Sequence, residues 1–325
     1  MTDDSTPASL SPDSSRSTDS VRLTGWFERN HYSPTLVALL TLVVTFILFQ
    51  GIGTVAGALL LMMRGGMPAD VPPEELLTHL LETYPDVVVV GNSIGQVLGL
   101  ALPVWFLVGL HTPDRRRYLR IDTPDPWLFA AGLIGWVALL PVVQWLVHIN
   151  EFLPLPDAVR VFDRQQMELI EKVLESNLGI STHLVSLALV PGICEELLFR
   201  GYLQRNFERT AGVVGGIVIT GLIFGVYHLR LTQVLPLCAL GLYLGFVLWS
   251  TKSLWTAVAV HFANNALAVG LGAYLKTNPE LPVETMDEVR VPWYSVVFGL
   301  TATFYIMYWM FRRREEVIGA AGVSE

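Results

Sequence analysis

Six side chains that can carry charge, move protons or donate hydrogen bonds stand in otherwise apolar stretches: Glu195, Glu196 and Arg200, then His228, then His261 and Asn265. Their spacing sorts them. Glu196 and Arg200 are four residues apart, so on a helix they share a face and can pair. Glu195 points about 100° away and has no cation at that spacing on its own helix, which suits a general base. His261 and Asn265 are also four apart and share a face. So do Phe224 and His228, which lets Phe224 pack beneath the imidazole. A turn near Thr210 follows Glu195 by 15 residues and precedes His228 by 18. At a rise of about 1.5 Å per residue both lie about 22–27 Å from that turn, at similar depth on antiparallel helices. A carboxylate base, two imidazoles and a carboxamide donor around one cavity suffice to activate water and hold an oxyanion.

Each feature alone has a structural explanation. Glu196–Arg200 reads as an ion pair, His228 as an interfacial residue, and His261 with Asn265 as a hydrogen-bonding pair between helices. Their concentration on three neighbouring helices favours a site, because no other span carries an acid or base in its interior. Cys194, beside Glu195, reads as a small buried hydrophobe. Glu74-Glu75 repeats the acidic pair, but His79 stands where an arginine would be needed. It follows Pro72-Pro73, so acids at a helix start account for it. The remaining histidines, at 31, 79, 111, 148 and 183, are assigned no role.

The elements that must carry these groups follow from composition. Of 325 residues, 52% are hydrophobic and 15% charged, against about 25% charged in an ordinary soluble domain. The apolar residues form long blocks, so an all-α polytopic membrane protein of about eight transmembrane helices is expected, enclosing an intramembrane catalytic cavity. The predicted spans are 34–63, 87–110, 126–147, 181–207, 211–229, 231–250, 253–275 and 291–311, each near the roughly 20 residues a bilayer requires. The first is about twice as long as a cleavable signal segment. Residues 1–25, rich in Ser, Thr, Asp and Pro, read as a disordered tail. Residues 26–180 form an N-terminal membrane region of three spans, with surface-lying amphipathic stretches in loops 64–86 and 148–180. Residues 181–275 form the catalytic core, and 276–325 the last span and tail.

Basic residues set the orientation. With the N-terminus inside, 13 lie in inner segments and 7 in outer loops, and Arg200 completes the 21. Both termini are therefore expected in the cytoplasm. A net charge of −8 argues against nucleic acid as a partner, and two cysteines cannot build a disulfide framework. Gly53/Gly57, Gly95/Gly99, Gly212/Gly216 and Gly241/Gly245 are small-xxx-small pairs, common enough by chance to carry little weight.

The order Glu195-Glu196-x-x-x-Arg200, Phe224-x-x-x-His228, His261-x-x-x-Asn265 resembles the three-motif pattern of the CAAX-protease and bacteriocin-processing family of intramembrane proteases, once called abortive-infection proteins. The match covers roughly residues 181–270 without departure at the motif positions. The resemblance implies an endopeptidase in which Glu195 and His228 activate water, while His261 and Asn265 stabilise the oxyanion. Glu196, Arg200 and Phe224 support them. It also implies a membrane-associated peptide or protein substrate, lipidated in the eukaryotic members, and a multi-pass protein of a prokaryotic plasma membrane in contact with lipid. The first 180 residues match nothing.

Two arrangements of the site are open. In one, Glu195, His228 and His261 bind Zn²⁺ with a water in the fourth position, and Glu196 must act as base although its helix directs it to Arg200. In the other, Glu195 and His228 activate water without metal. The second is preferred, because no His-Glu-x-x-His helix is present and Asn265 is a poor zinc ligand but a good oxyanion donor. Rival functions are a transporter, favoured only by Pro191-Gly192 ahead of the glutamates, and a catalytically silent membrane adaptor or immunity protein.

Overall fold

The computed structural model describes residues 21–66, 71–72, 76–278 and 291–321, apart from the side chains of 77, 78 and 317–321. Residues 1–20 of the expected tail and Glu74-Glu75 lie outside them. Every regular element among the described residues is helical, and none is a strand. Helix α1 spans Pro34–Met62, α2 Pro85–Gly109, α3 Pro126–Glu151 and α4 Asp157–Glu175. A continuous helical stretch, Ile180–Tyr227, follows, then α7 (Leu231–Thr251), α8 (Leu254–Thr277) and α9 (Trp293–Ala321).

Seven of these stretches are long and apolar enough to cross a membrane. The 48-residue one reverses at Gly212, whose φ of 71° and ψ of 175° interrupt the helix. That left-handed φ is open to glycine because it has no Cβ. The arms, α5 (180–211) and α6 (213–227), form an antiparallel hairpin in which Phe224 packs edge-on against Phe199 at 5.1 Å. Counting the arms separately among the described residues gives eight helical passes, as the apolar blocks imply. The large apolar side chains left exposed lie on outward faces, including Leu40, Val44 and Ile47 of α1 and Phe298, Phe304 and Tyr305 of α9. In water such a surface would be unfavourable; against lipid it costs nothing.

Small residues set the closest helix approaches, more than their chance frequency suggests. A Cβ on Gly95 would come within 2.6 Å of the Phe49 carbonyl and 2.9 Å of Gly53 Cα, so α1 and α2 touch backbone to backbone. Likewise, a Cβ on Gly241 would lie 2.6 Å from the Gly221 carbonyl. That contact brings α7 against α6 and within reach of α5.

One end of the bundle holds a polar network. His111, 1% exposed, shares short contacts with Glu28 (2.7 Å) and the Tyr202 hydroxyl (3.0 Å). Arg120 pairs with Glu208 at 2.6 Å, Arg209 with Glu28 at 3.2 Å and Arg313 with Asp125 at 3.7 Å. Arg205 donates to the Tyr118 carbonyl. These contacts tie the segments before α1, after α2 and at the α5–α6 turn to one another, and the end of α9 to the start of α3. The opposite end is capped by the amphipathic α4. Asp163 accepts from the Thr232 amide there, and Asn150 bridges the Leu231 carbonyl and the Leu235 amide.

Because the Arg-rich segments cluster at one end, reporter fusions after Arg120 and after Arg314 should both give cytoplasmic signals. A periplasmic or extracellular signal from either fusion overturns the orientation.

Candidate active site

α5 carries the carboxylates, α6 ends at the first histidine, and α8 supplies the second. Two π-helical stretches, Leu184–Leu189 and Leu197–Leu203, flank the α-helical turns bearing Glu195 and Glu196. Such insertions recur at functional sites because they re-aim side chains within a helix. Pro191 lies between them and has no N–H to give the Leu187 carbonyl four residues back. That carbonyl instead accepts from Asn265 Nδ2 on α8 at 3.2 Å. Asn264 Nδ2 donates to Asn265 Oδ1 at 3.3 Å and is itself anchored at Oδ1 by Trp136 Nε1. The carboxamide orientation follows: its oxygen is occupied, one N–H goes to Leu187, and one N–H remains. A Cβ on Gly192 would lie 3.4 Å from the Phe262 nitrogen, so α5 and α8 run close together at the level of the glutamates.

Glu196 and Arg200 are both fully buried and pair at 2.9 Å. The spacing anticipated that pair but not its extension. Glu196 Oε1 also accepts from His261 Nδ1 at 2.8 Å. Arg200 donates a second bond to the Gly241 carbonyl at 3.0 Å, and its guanidinium lies 4.4 Å from the centre of the Phe224 ring. Phe224 in turn meets the rings of His228 (4.7 Å) and His261 (5.7 Å) edge-on. A buried charge needs pairing to be tolerated. Three helices supply it through Glu196 Oε1 and both Nη atoms of Arg200, while Glu196 Oε2 and Arg200 Nε have no hydrogen-bond partner among the described residues.

The two histidines are oriented by different partners. His228 Nδ1 lies 2.7 Å from the Phe224 carbonyl. A carbonyl can only accept, so Nδ1 carries the proton, and Nε2 of the neutral ring is a free acceptor. His261 Nδ1–H is committed to Glu196, and its Nε2 can donate only when the ring is doubly protonated. Both Nε2 atoms converge on one oxygen: Glu195 Oε2 lies 3.8 Å from His228 and 4.0 Å from His261. These distances are too long for direct hydrogen bonds and suit a bridging water. Glu195 is 14% exposed, against 0% for Glu196. Thus Glu195, Glu196, Arg200, Phe224, His228 and His261 come together. Asn265 stands one turn along α8 from His261.

The donor set at Glu195, His228 and His261 has the right atom types for Zn²⁺ but is more widely spaced than a bound ion would have it. Separations of 3.8 and 4.0 Å exceed the roughly 3.3–3.5 Å between donors of a tetrahedral zinc with bonds of about 2.0–2.2 Å. Among the described residues, no three His, Cys, Asp or Glu side chains close to metal-binding geometry. The base that a zinc arrangement requires is also missing, because Glu196 is buried and committed to Arg200 and His261.

Residues 177–267 match the family model of type II CAAX prenyl endopeptidases, Rce1-like. The segment contains every residue of the site, from Glu195 to Asn265, and is similar to that family over this stretch of the chain. No curated protein and no solved structure matches the chain.

Proposed function

We propose that this membrane-embedded chain is an intramembrane endopeptidase of the CAAX-protease family that hydrolyses peptide bonds of membrane-associated proteins or peptides, using 181–275 as its catalytic core and no metal. The convergence of two differently oriented imidazoles on the free oxygen of Glu195 carries this reading. A water in that gap donates its hydrogens to Glu195 Oε2 and His228 Nε2. Glu195 takes a proton as the water oxygen attacks the scissile carbonyl carbon. The carbonyl π electrons move to the oxygen, which His261 Nε2–H and the remaining Asn265 N–H stabilise. Glu196 supports the positive charge on His261 that this donation requires. The proton then passes to the amide nitrogen, the C–N bond breaks, and acid and amine products leave.

The site's position among spanning helices selects a substrate whose scissile bond reaches the membrane, either a lipid-anchored chain end or an amphipathic peptide of the bacteriocin type. The Pro191-Gly192 step that a transporter would use as a helix break has a different use here, since it frees a carbonyl for Asn265.

Purified protein in proteoliposomes should cleave such a peptide. Asn265→Ala should lower kcat by about 10²–10³, the usual loss for one oxyanion donor, with KM little changed. Elemental analysis and chelator titration accompany the assay. Activity lost on chelation and restored by stoichiometric zinc overturns the metal-free mechanism, and a wild type inert towards every membrane-associated peptide overturns the protease reading.

A further inference from the structure

The proposed mechanism leaves one polar group beside the site without a task. The hydroxyl of Tyr227 is buried and has no hydrogen-bond partner among the described residues, and the same is true of Glu195 Oε2. Tyr227 immediately precedes His228 at the end of α6. Its ring is wedged edge-on between Phe199 of α5 at 5.1 Å and Phe46 of α1 at 5.4 Å. Phe199 lies one helical turn beyond Glu195, so the ring leans on the helix that carries the base. The centre of the Tyr227 ring also lies 6.4 Å from that of the His228 ring, edge-on.

Orphaned buried atoms are costly unless something joins them. Glu196 Oε2 and Arg200 Nε, also without a hydrogen-bond partner among the described residues, belong to an ion pair. That leaves Glu195 Oε2 and the Tyr227 hydroxyl to be joined. A single water can do so. Its hydrogens go to Glu195 Oε2 and His228 Nε2, which are both acceptors, leaving two lone pairs on its oxygen. If both stay free, the water can rotate about its two donated bonds and presents either lone pair to the substrate. A donor on one lone pair leaves the other as the only attacking direction. Tyr227 O–H is the donor left for it, since Phe199 and Phe224 contribute only rings, His261 Nδ1 is committed to Glu196, and His261 Nε2–H is assigned to the oxyanion.

We infer that Tyr227 is a further catalytic residue, whose hydroxyl donates to the reacting water and, with Glu195 and His228, orients its attack. This rests on the endopeptidase reading above. No bond to Tyr227 forms or breaks. Its proton stays on the phenol oxygen while the water's own proton goes to Glu195.

Tyr227→Phe keeps the ring between Phe46 and Phe199 and removes only the hydroxyl. Its kcat should fall about 10- to 100-fold, the range for losing one hydrogen bond at a charged centre, with KM and thermal midpoint near wild type. Tyr227→Leu, which also removes the ring, is assayed beside it at matched folded fraction. Equal kcat losses in both variants point to the hydroxyl. Wild-type kcat in Tyr227→Phe, whatever Tyr227→Leu does, reduces the residue to packing and overturns the inference while leaving the protease reading intact. An inert wild type removes the protease reading, and this inference with it.

Discussion

Glu195→Gln is expected to lower kcat by about 10²–10⁴, the range for losing a positioned general base, with no loss of folded protein in detergent. Two observations set this expectation. Glu195 Oε2 is the oxygen on which both imidazole Nε2 atoms converge, so replacing the carboxylate with an amide removes the proton acceptor nearest the reacting water. Glu195 is also absent from the network that holds Arg200, so its neutral isostere leaves that network paired. Peptide cleavage at saturating substrate gives the rate, and a thermal melt of the same sample gives the stability. Near-normal turnover by Glu195→Gln would remove the carboxylate from the mechanism.

Arg200→Ala should fail in the opposite way, by loss of folded protein. Glu196 would then keep its charge in a fully buried position with only His261 as partner. Breaking a buried pair from one side costs about 3–5 kcal/mol, because the remaining charge is uncompensated. The guanidinium also holds the Gly241 carbonyl and covers the Phe224 ring, so α7 and the ring beneath both histidines lose their support together. That sum is a large part of the roughly 5–15 kcal/mol that keeps a typical domain folded. Folded yield and thermal midpoint should drop sharply, and the double variant Glu196→Gln with Arg200→Met should recover part of the loss. If Arg200→Ala melts like wild type, the pair has no structural role.

Much of this was legible along the chain. Long apolar runs determine the spans, because the bilayer leaves no other option for uncharged stretches of that length. Helical periodicity determined that Glu196 faces Arg200 and that Glu195 does not, since residues four apart on one helix are neighbours whatever surrounds them. The common depth of Glu195 and His228 followed from counting residues to a turn. The turn itself falls at Gly212, two residues past the expected Thr210.

Other features depend on contacts between helices. His261 lies 65 residues from Glu196, yet shares its Oε1 with Arg200. No spacing rule foresees that, because the facing side of α8 is set by how closely α5 and α8 approach at Gly192. Pro191 looked like a transporter's helix break, and only the fold reveals that the carbonyl it frees is taken by Asn265. Tyr227 gave no sequence signal, being one aromatic residue among many, and only the fold shows that its hydroxyl is buried without a hydrogen-bond partner among the described residues. His111 was assigned nothing and is held between Glu28 and Tyr202. Periodicity acts within one helix and is therefore written in the sequence. Which faces of different helices meet depends on side-chain volumes and backbone approaches summed over the whole bundle, and the tertiary structure alone decides them.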